Sequence, residues 1–137
     1  MPGGQGFFHR RGAEHIEKNI INLCAFDVEY GGPYDVILLT NFLHHFDPPT
    51  CVALLKKVRA ALKPGGLAAT LEFVPNEDRI SPPMSAAFSL TMLATTAAGD
   101  AYTFRELEQM YFEADFRNVK SYPVPTGPHT VVVGHTA

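Results

Sequence analysis

Apolar residues gather into short runs, and the residues between those runs punctuate them. Val36, Ile37, Leu38 and Leu39 are consecutive within Asp35–Asn41. An unbroken run of this length predicts a strand covered on both faces, as in a parallel sheet. Ile20 to Phe26 is a second apolar stretch and predicts a strand before it. Gly31, Gly32 and Pro33 mark a turn between the two. Next, Cys51, Leu55, Val58 and Leu62 recur at i, i+4, i+7 and i+11, with Leu54 and Ala61 beside them. Lys56, Lys57 and Arg59 fall off that stripe, so an amphipathic helix is predicted. Asp47 is placed to cap it, and Pro48 suits its first position. Lys63-Pro64-Gly65-Gly66 is expected to end it, with glycine supplying a left-handed stop. Leu67 to Val74 predicts the next strand, closed by Pro75-Asn76-Glu77-Asp78. Strand, helix and strand make a right-handed βαβ unit, which puts the chain in the α/β class.

Ile80 to Gly99 contains no charged residue. Its prolines, Pro82 and Pro83, and its scattered hydroxyls argue against a membrane span, which needs about 20 predominantly apolar residues. A buried, pocket-lining helix fits better. Thr103 and Glu106 form a capping box ahead of Phe104, Leu107, Met110, Tyr111 and Ala114, the apolar face of another helix. Val119–Tyr122 and Thr130–Val133 predict two strands. The connection between them is short, so they must be antiparallel and the sheet mixed. At the other end, Met1–Gly12 is glycine-rich, and Glu14–Lys18 could form a short helix. Residues 1–19 are therefore expected to be a flexible lead-in and 20–137 the folded domain.

Composition narrows the function. The chain has 137 residues, 46% hydrophobic and 18% charged, which suits a single domain. A net charge of −3 leaves no electrostatic footprint for nucleic acid. Cys24 and Cys51 are too few for a disulfide framework, and MPGGQGFFHRRG has no apolar signal core. A reduced, cytoplasmic setting is expected. His44, His45 and Asp47 could suggest a metal site, but adjacent histidines point apart, so no metal is expected.

The run YDVILLTNFLHHFDPPTCVALLKKVRAALKPGG, followed by a strand ending in LEFVP, resembles class I methyltransferases that use S-adenosylmethionine. The subgroup it looks most like is the small-molecule O-methyltransferases. The resemblance covers Phe26 to His135. It implies a Rossmann-like sheet of order 3-2-1-4-5-7-6, of which strands four to seven, and a possible strand three, are present here. The glycine-rich loop that approaches the cofactor is not visible, because no strand precedes Gly3-Gly4-Gln5-Gly6. A nicotinamide-dependent reductase would need the same loop, and LKPGG favours the methyltransferase.

A phenol has a pKa of about 10 and histidine about 6.5, so a positioned neutral imidazole is a suitable general base for a hydroxyl acceptor. The resemblance places His44 at the catalytic histidine and Glu72 where a carboxylate orients it. The competing reading of His44 and His45 is a plain loop motif. The resemblance also puts Phe26, Thr40 and Asn41 beside the cofactor, and Phe88, Met92, Leu93 and Thr96 along the acceptor pocket. Three departures stand out. Cys24-Ala25-Phe26 lacks the carboxylate that usually lies two residues before the phenylalanine. Ala101 replaces a second acidic residue, with Asp100 shifted by one. Asp115 replaces a helix-stop glycine, at a modest expected cost in stability. The expected function is methyl transfer from S-adenosylmethionine to a small hydroxylated or phenolic molecule, by a shortened catalytic domain. The alternative is a non-catalytic fragment whose exposed sheet edge pairs with a second copy or a complementing chain.

Overall fold

The computed structural model describes residues 24–137. β1 (Tyr34–Thr40) leads through a 3-10 turn (Leu43–His45) to α1 (Pro48–Ala60) and β2 (Leu62–Glu72). There follow α2 (Pro83–Thr95), α3 (Phe104–Glu113), β3 (Arg117–Pro123) and β4 (Thr130–His135). The sheet order is β1-β2-β4-β3. β1 and β2 are parallel, with Ile37 opposite Ala68, while β4 runs antiparallel to both neighbours. This is the 4-5-7-6 part of the expected order. Leu54, Leu55 and Val58 of α1 and Leu107 and Tyr111 of α3 are fully buried with Phe116 and Val132. That shared core fixes both helices to the sheet.

The caps form as the residue types predict. Asp47 Oδ1 accepts the Thr50 N–H at 2.9 Å. At α3, Thr103 Oγ1 accepts the Glu106 N–H, and Glu106 Oε2 accepts the Thr103 N–H at 2.8 Å. Asp115 takes φ +66. Its carboxylate bonds Arg59 at 3.0 Å and Arg117 at 2.8 Å, which offsets part of the left-handed strain.

Four expectations are corrected. The β1 run is not covered on both faces, because no described element packs over Val36 and Leu38. The uncharged helix is not buried either: of α2 only Ser85 and Met92 are, the rest being exposed or half-buried. α1 ends at Ala60, and its cap, Ala61, stays right-handed. Leu62 already pairs with Tyr34, five residues before the predicted strand. The next matched pair is Val36 with Leu67, so two steps of β1 face five of β2. Gly65, at φ +75, therefore serves a loop-out within the strand rather than a helix stop. Cys24–Phe26, the end of the strand expected over 20–26, lies in a turn instead. Asp27 N–H and Val28 N–H both donate to the Cys24 carbonyl at 3.0 Å. Lys57 Nζ stabilises that turn by donating to the carbonyls of Phe26 at 2.6 Å and Val28 at 2.7 Å. Residues 20–23, the lead-in, the 14–18 helix and the 19/20 boundary lie outside the described residues.

Two further features bear on function. Among the described residues no strand pairs with the outer side of β1. Tyr34 is 45% exposed, Val36 50% and Leu38 67%. Arg79, in the loop after β2, grips Glu106 through two contacts of 2.5 and 2.7 Å and Asp100 at 3.2 Å. One guanidinium thus ties together both ends of the uncharged α2 segment. No described helix is long and apolar enough to cross a membrane.

Candidate active site

β1 and β2 end side by side, and the first turn after β1 crosses their carboxyl ends. Asn41 enters that turn at φ +51, a conformation asparagine tolerates, with its N–H on the Leu71 carbonyl at 2.8 Å. Glu72 closes β2 just behind it. Its Oε1 accepts the N–H groups of Phe42 at 3.1 Å and Leu43 at 2.9 Å. Its Oε2 lies 2.5 Å from His44 Nδ1. His44 is 5% exposed and Glu72 3%, so little water competes for this contact. One carboxylate therefore fixes both the backbone and the ring of the turn.

The bonding pattern sets the tautomer. A carboxylate accepts, so Nδ1 carries the proton and Nε2 of the neutral ring keeps its lone pair. Among the described residues nothing bonds Nε2, and it is not sealed from solvent. That is the arrangement a general base requires.

Other groups hold the turn from outside. Cys51 Sγ donates to the Leu43 carbonyl at 3.2 Å, and Tyr102 Oη donates to the Phe46 carbonyl at 2.5 Å. Burial, then the nearby Glu72 and Asp47 charges, push the Cys51 thiol up to about 12. It stays a neutral donor and is no nucleophile. Burial likewise pushes the Tyr102 phenol well above its ordinary value.

Aromatic rings line one flank. Phe88 of α2 meets the His44 ring edge-on at 4.8 Å. Phe73 stacks on Phe88 at 4.0 Å, and His129 tilts against Phe73 at 4.3 Å. Phe73 and His129 were not singled out from the sequence. They come from the end of β2 and the β3–β4 connection, and nothing in their local pattern signals that they meet. Met92 is buried. Leu93, the next residue on α2, is 75% exposed. The Thr96 hydroxyl donates to the Met92 carbonyl at 2.7 Å and accepts the Gly99 N–H at 2.8 Å. Of the four pocket positions, only Phe88 is brought against the His44 ring.

The other flank faces an open cleft of about 410 Å³ beside β1. Thr40, Leu38, Tyr30 and Phe42 line it. Phe26 stands nearby, its ring edge-on to Phe46 at 5.1 Å. Asp100 does not substitute for the acidic group missing at Ala101. Its carboxylate is taken up by Arg79 and the Ala101 N–H. His44 thus rests on Glu72 alone. Among the described residues no cluster of His, Cys, Asp or Glu could hold a metal ion.

Comparison with known proteins agrees with this fold. A family profile described as an O-methyltransferase domain matches residues 26–117. The S-adenosyl-L-methionine-dependent methyl transferase PigF of Serratia is 33% identical over 103 residues, covering 75% of this chain and 29% of PigF. The tetracenomycin polyketide synthesis 8-O-methyl transferase TcmO of Streptomyces glaucescens is 33% identical over 100 residues, covering 73% of this chain and 29% of TcmO. A crystal structure of an O-methyltransferase from Nostoc punctiforme superposes with a TM-score of 0.80 at 51% identity, covering 82% of this chain and 34% of that one. The structure of PigF with SAH gives 0.73 at 31% identity, covering 82% of this chain and 33% of PigF. The chain thus spans about a third of the length of these relatives. By profile, relatives and topology together, it belongs to the O-methyltransferase family of class I methyltransferases.

Proposed function

We propose that this chain carries the acceptor-activating part of an S-adenosylmethionine-dependent O-methyltransferase. The acceptor is the hydroxyl of a small or phenolic molecule. One observation carries the reading: the buried Glu72–His44 pair, with Nδ1 held and Nε2 left free, at the carboxyl ends of β1 and β2. In this reading Nε2 takes the hydroxyl proton, and Glu72 stabilises the imidazolium that forms. Phe88, backed by Phe73, offers a flat wall for an aromatic acceptor beside the base. Met92 is buried on the same helix. Leu93 and the occupied hydroxyl of Thr96 have weaker claims to acceptor contact.

The cofactor supplies the methyl group. The described residues fit only part of it. Phe26 and Phe46 form an aromatic border, with Thr40 and Asn41 at the end of β1. Two residues before Phe26, where the resemblance puts a carboxylate near the adenine, stands the thiol of Cys24. No methyl-transfer step is therefore assigned to this chain on its own.

The test incubates the chain with S-adenosylmethionine and a set of phenols, and reads methylated product by mass spectrometry. Where product forms, His44→Gln is expected to lower it at least tenfold, since general-base assistance is typically worth about 10²–10⁴-fold. Product formation unchanged by His44→Gln rejects the base. No product, together with no calorimetric binding of S-adenosylhomocysteine, rejects independent activity.

A second reading rests on a different observation. Among the described residues no strand pairs with the outer edge of β1, whose Tyr34, Val36 and Leu38 are exposed on one face, and such a bare apolar edge invites another strand. In this reading the chain is a non-catalytic partner that pairs through β1. Micromolar S-adenosylhomocysteine binding by a monomeric chain overturns it.

A further inference from the structure

We propose that Gly99 is a positioning residue for His44, held in place by the Thr96 hydroxyl. The inference rests on the reading of His44 as the base. α2 ends at Thr95, and Thr96 turns the chain back toward the 3-10 turn. The Thr96 hydroxyl ties the α2 carbonyl of Met92 to the Gly99 N–H, which fixes the path of the chain between them.

Gly99 then sits directly on the base-bearing backbone. A Cβ there would overlap the His44 carbonyl oxygen, and would lie 2.6 Å from Thr96 Oγ1 and 3.0 Å from the His45 carbonyl carbon. Two of these three atoms are backbone and cannot rotate away. Gly99 is not among the residues with positive φ, so its conformation does not demand glycine. Space alone demands it.

The contact matters because of what each side carries. On one side is the turn whose ring and N–H groups Glu72 holds. On the other is the segment that brings Phe88 to 4.8 Å from the His44 ring. The carbonyls of Leu43 and Phe46 are met by Cys51 and Tyr102, from α1 and the start of α3. The His44 carbonyl is met from the α2 segment. Gly99 therefore sets the spacing between the base and the aromatic wall. The titratable groups against the His44 ring are Glu72, through Nδ1, and His45, with ring centroids 4.4 Å apart.

The test follows the ring titration of His44 by NMR in the full chain, with His135 as the internal reference. Gly99→Ala is expected to move the His44 midpoint by at least about half a pH unit, and to leave that of His135 in place. A folded Gly99→Ala chain with an unmoved His44 midpoint overturns the proposal. Should Gly99→Ala fail to fold, Thr96→Val and Thr96→Ser decide. A shift in Val restored by Ser supports it. Two unshifted variants, or two shifted alike, overturn it. The readout is a titration and not turnover, so it stands apart from whether His44 removes an acceptor proton.

Discussion

At the residue scale, burial separates groups that look alike in the sequence. Cys24 is exposed and Cys51 is buried against the turn that carries His44. One thiol is therefore expected to react at once with a disulfide reagent and the other only on unfolding, as a two-phase absorbance trace would show. The same burial has a pH signature. The Cys51 thiol is raised from about 9 to about 12, so the folded state holds its proton longer than the unfolded chain. The stability this contributes is complete below pH 9 and is lost as pH rises toward 12. Tyr102 and Tyr111 are also raised, chiefly by burial, and act in the same direction above pH 10. Cys51→Ala is expected to remove the decline that starts near pH 9 and leave the later one. Melting temperatures measured across that range would show it, and an identical profile would refute it. The pairing of His44 with Glu72 was expected from the family resemblance, and the two meet in the structure. Its dependence on Gly99 was not, because two backbones 55 positions apart meet without any local mark.

At the scale of elements, what could be read locally was read well. The caps at Asp47 and Thr103 are short-range chemistry and stand where the residue types placed them. The α1 stripe and the run in β1 have periods that declare helix and strand. Lys63-Pro64-Gly65-Gly66 misled because a glycine with positive φ looks the same in a helix stop and in a strand loop-out. Only the pairing of Leu62 with Tyr34 tells them apart. The turn at 24–28 was missed for a similar reason. It depends on Lys57, a residue far along the chain that otherwise looks like a solvated charge. Thr103→Ala is expected to destabilise the chain by about 1 kcal/mol. That corresponds to a drop of roughly 4 °C in melting temperature. No change would mean the capping box does not limit stability.

At the scale of the whole molecule, the sheet is lopsided. β2 and β4 have strands on both sides, while among the described residues β1 and β3 each keep one edge open, and β1 is the apolar one. β1 carries no lysine or proline against pairing, and its one charge, Asp35, is already paired with Lys63. If the second reading holds, the chain elutes larger than a monomer from a sizing column, and Leu38→Lys returns it to monomer size. A wild-type chain that is monomeric at micromolar concentration removes that reading. The order of the described sheet was legible from motif order, because strands four to seven came in sequence. The opposite end of the molecule is built differently. The α2 segment leaves the sheet at Arg79 and returns at Asp100, and a single guanidinium clamps the two points. Everything between them is an uncharged excursion whose ends are already joined. It is a cassette: apart from Thr96 and Gly99, which meet the turn that carries His44, its contents can be exchanged while the sheet and the clamp stay where they are. Changes confined to it need not renegotiate the rest of the fold.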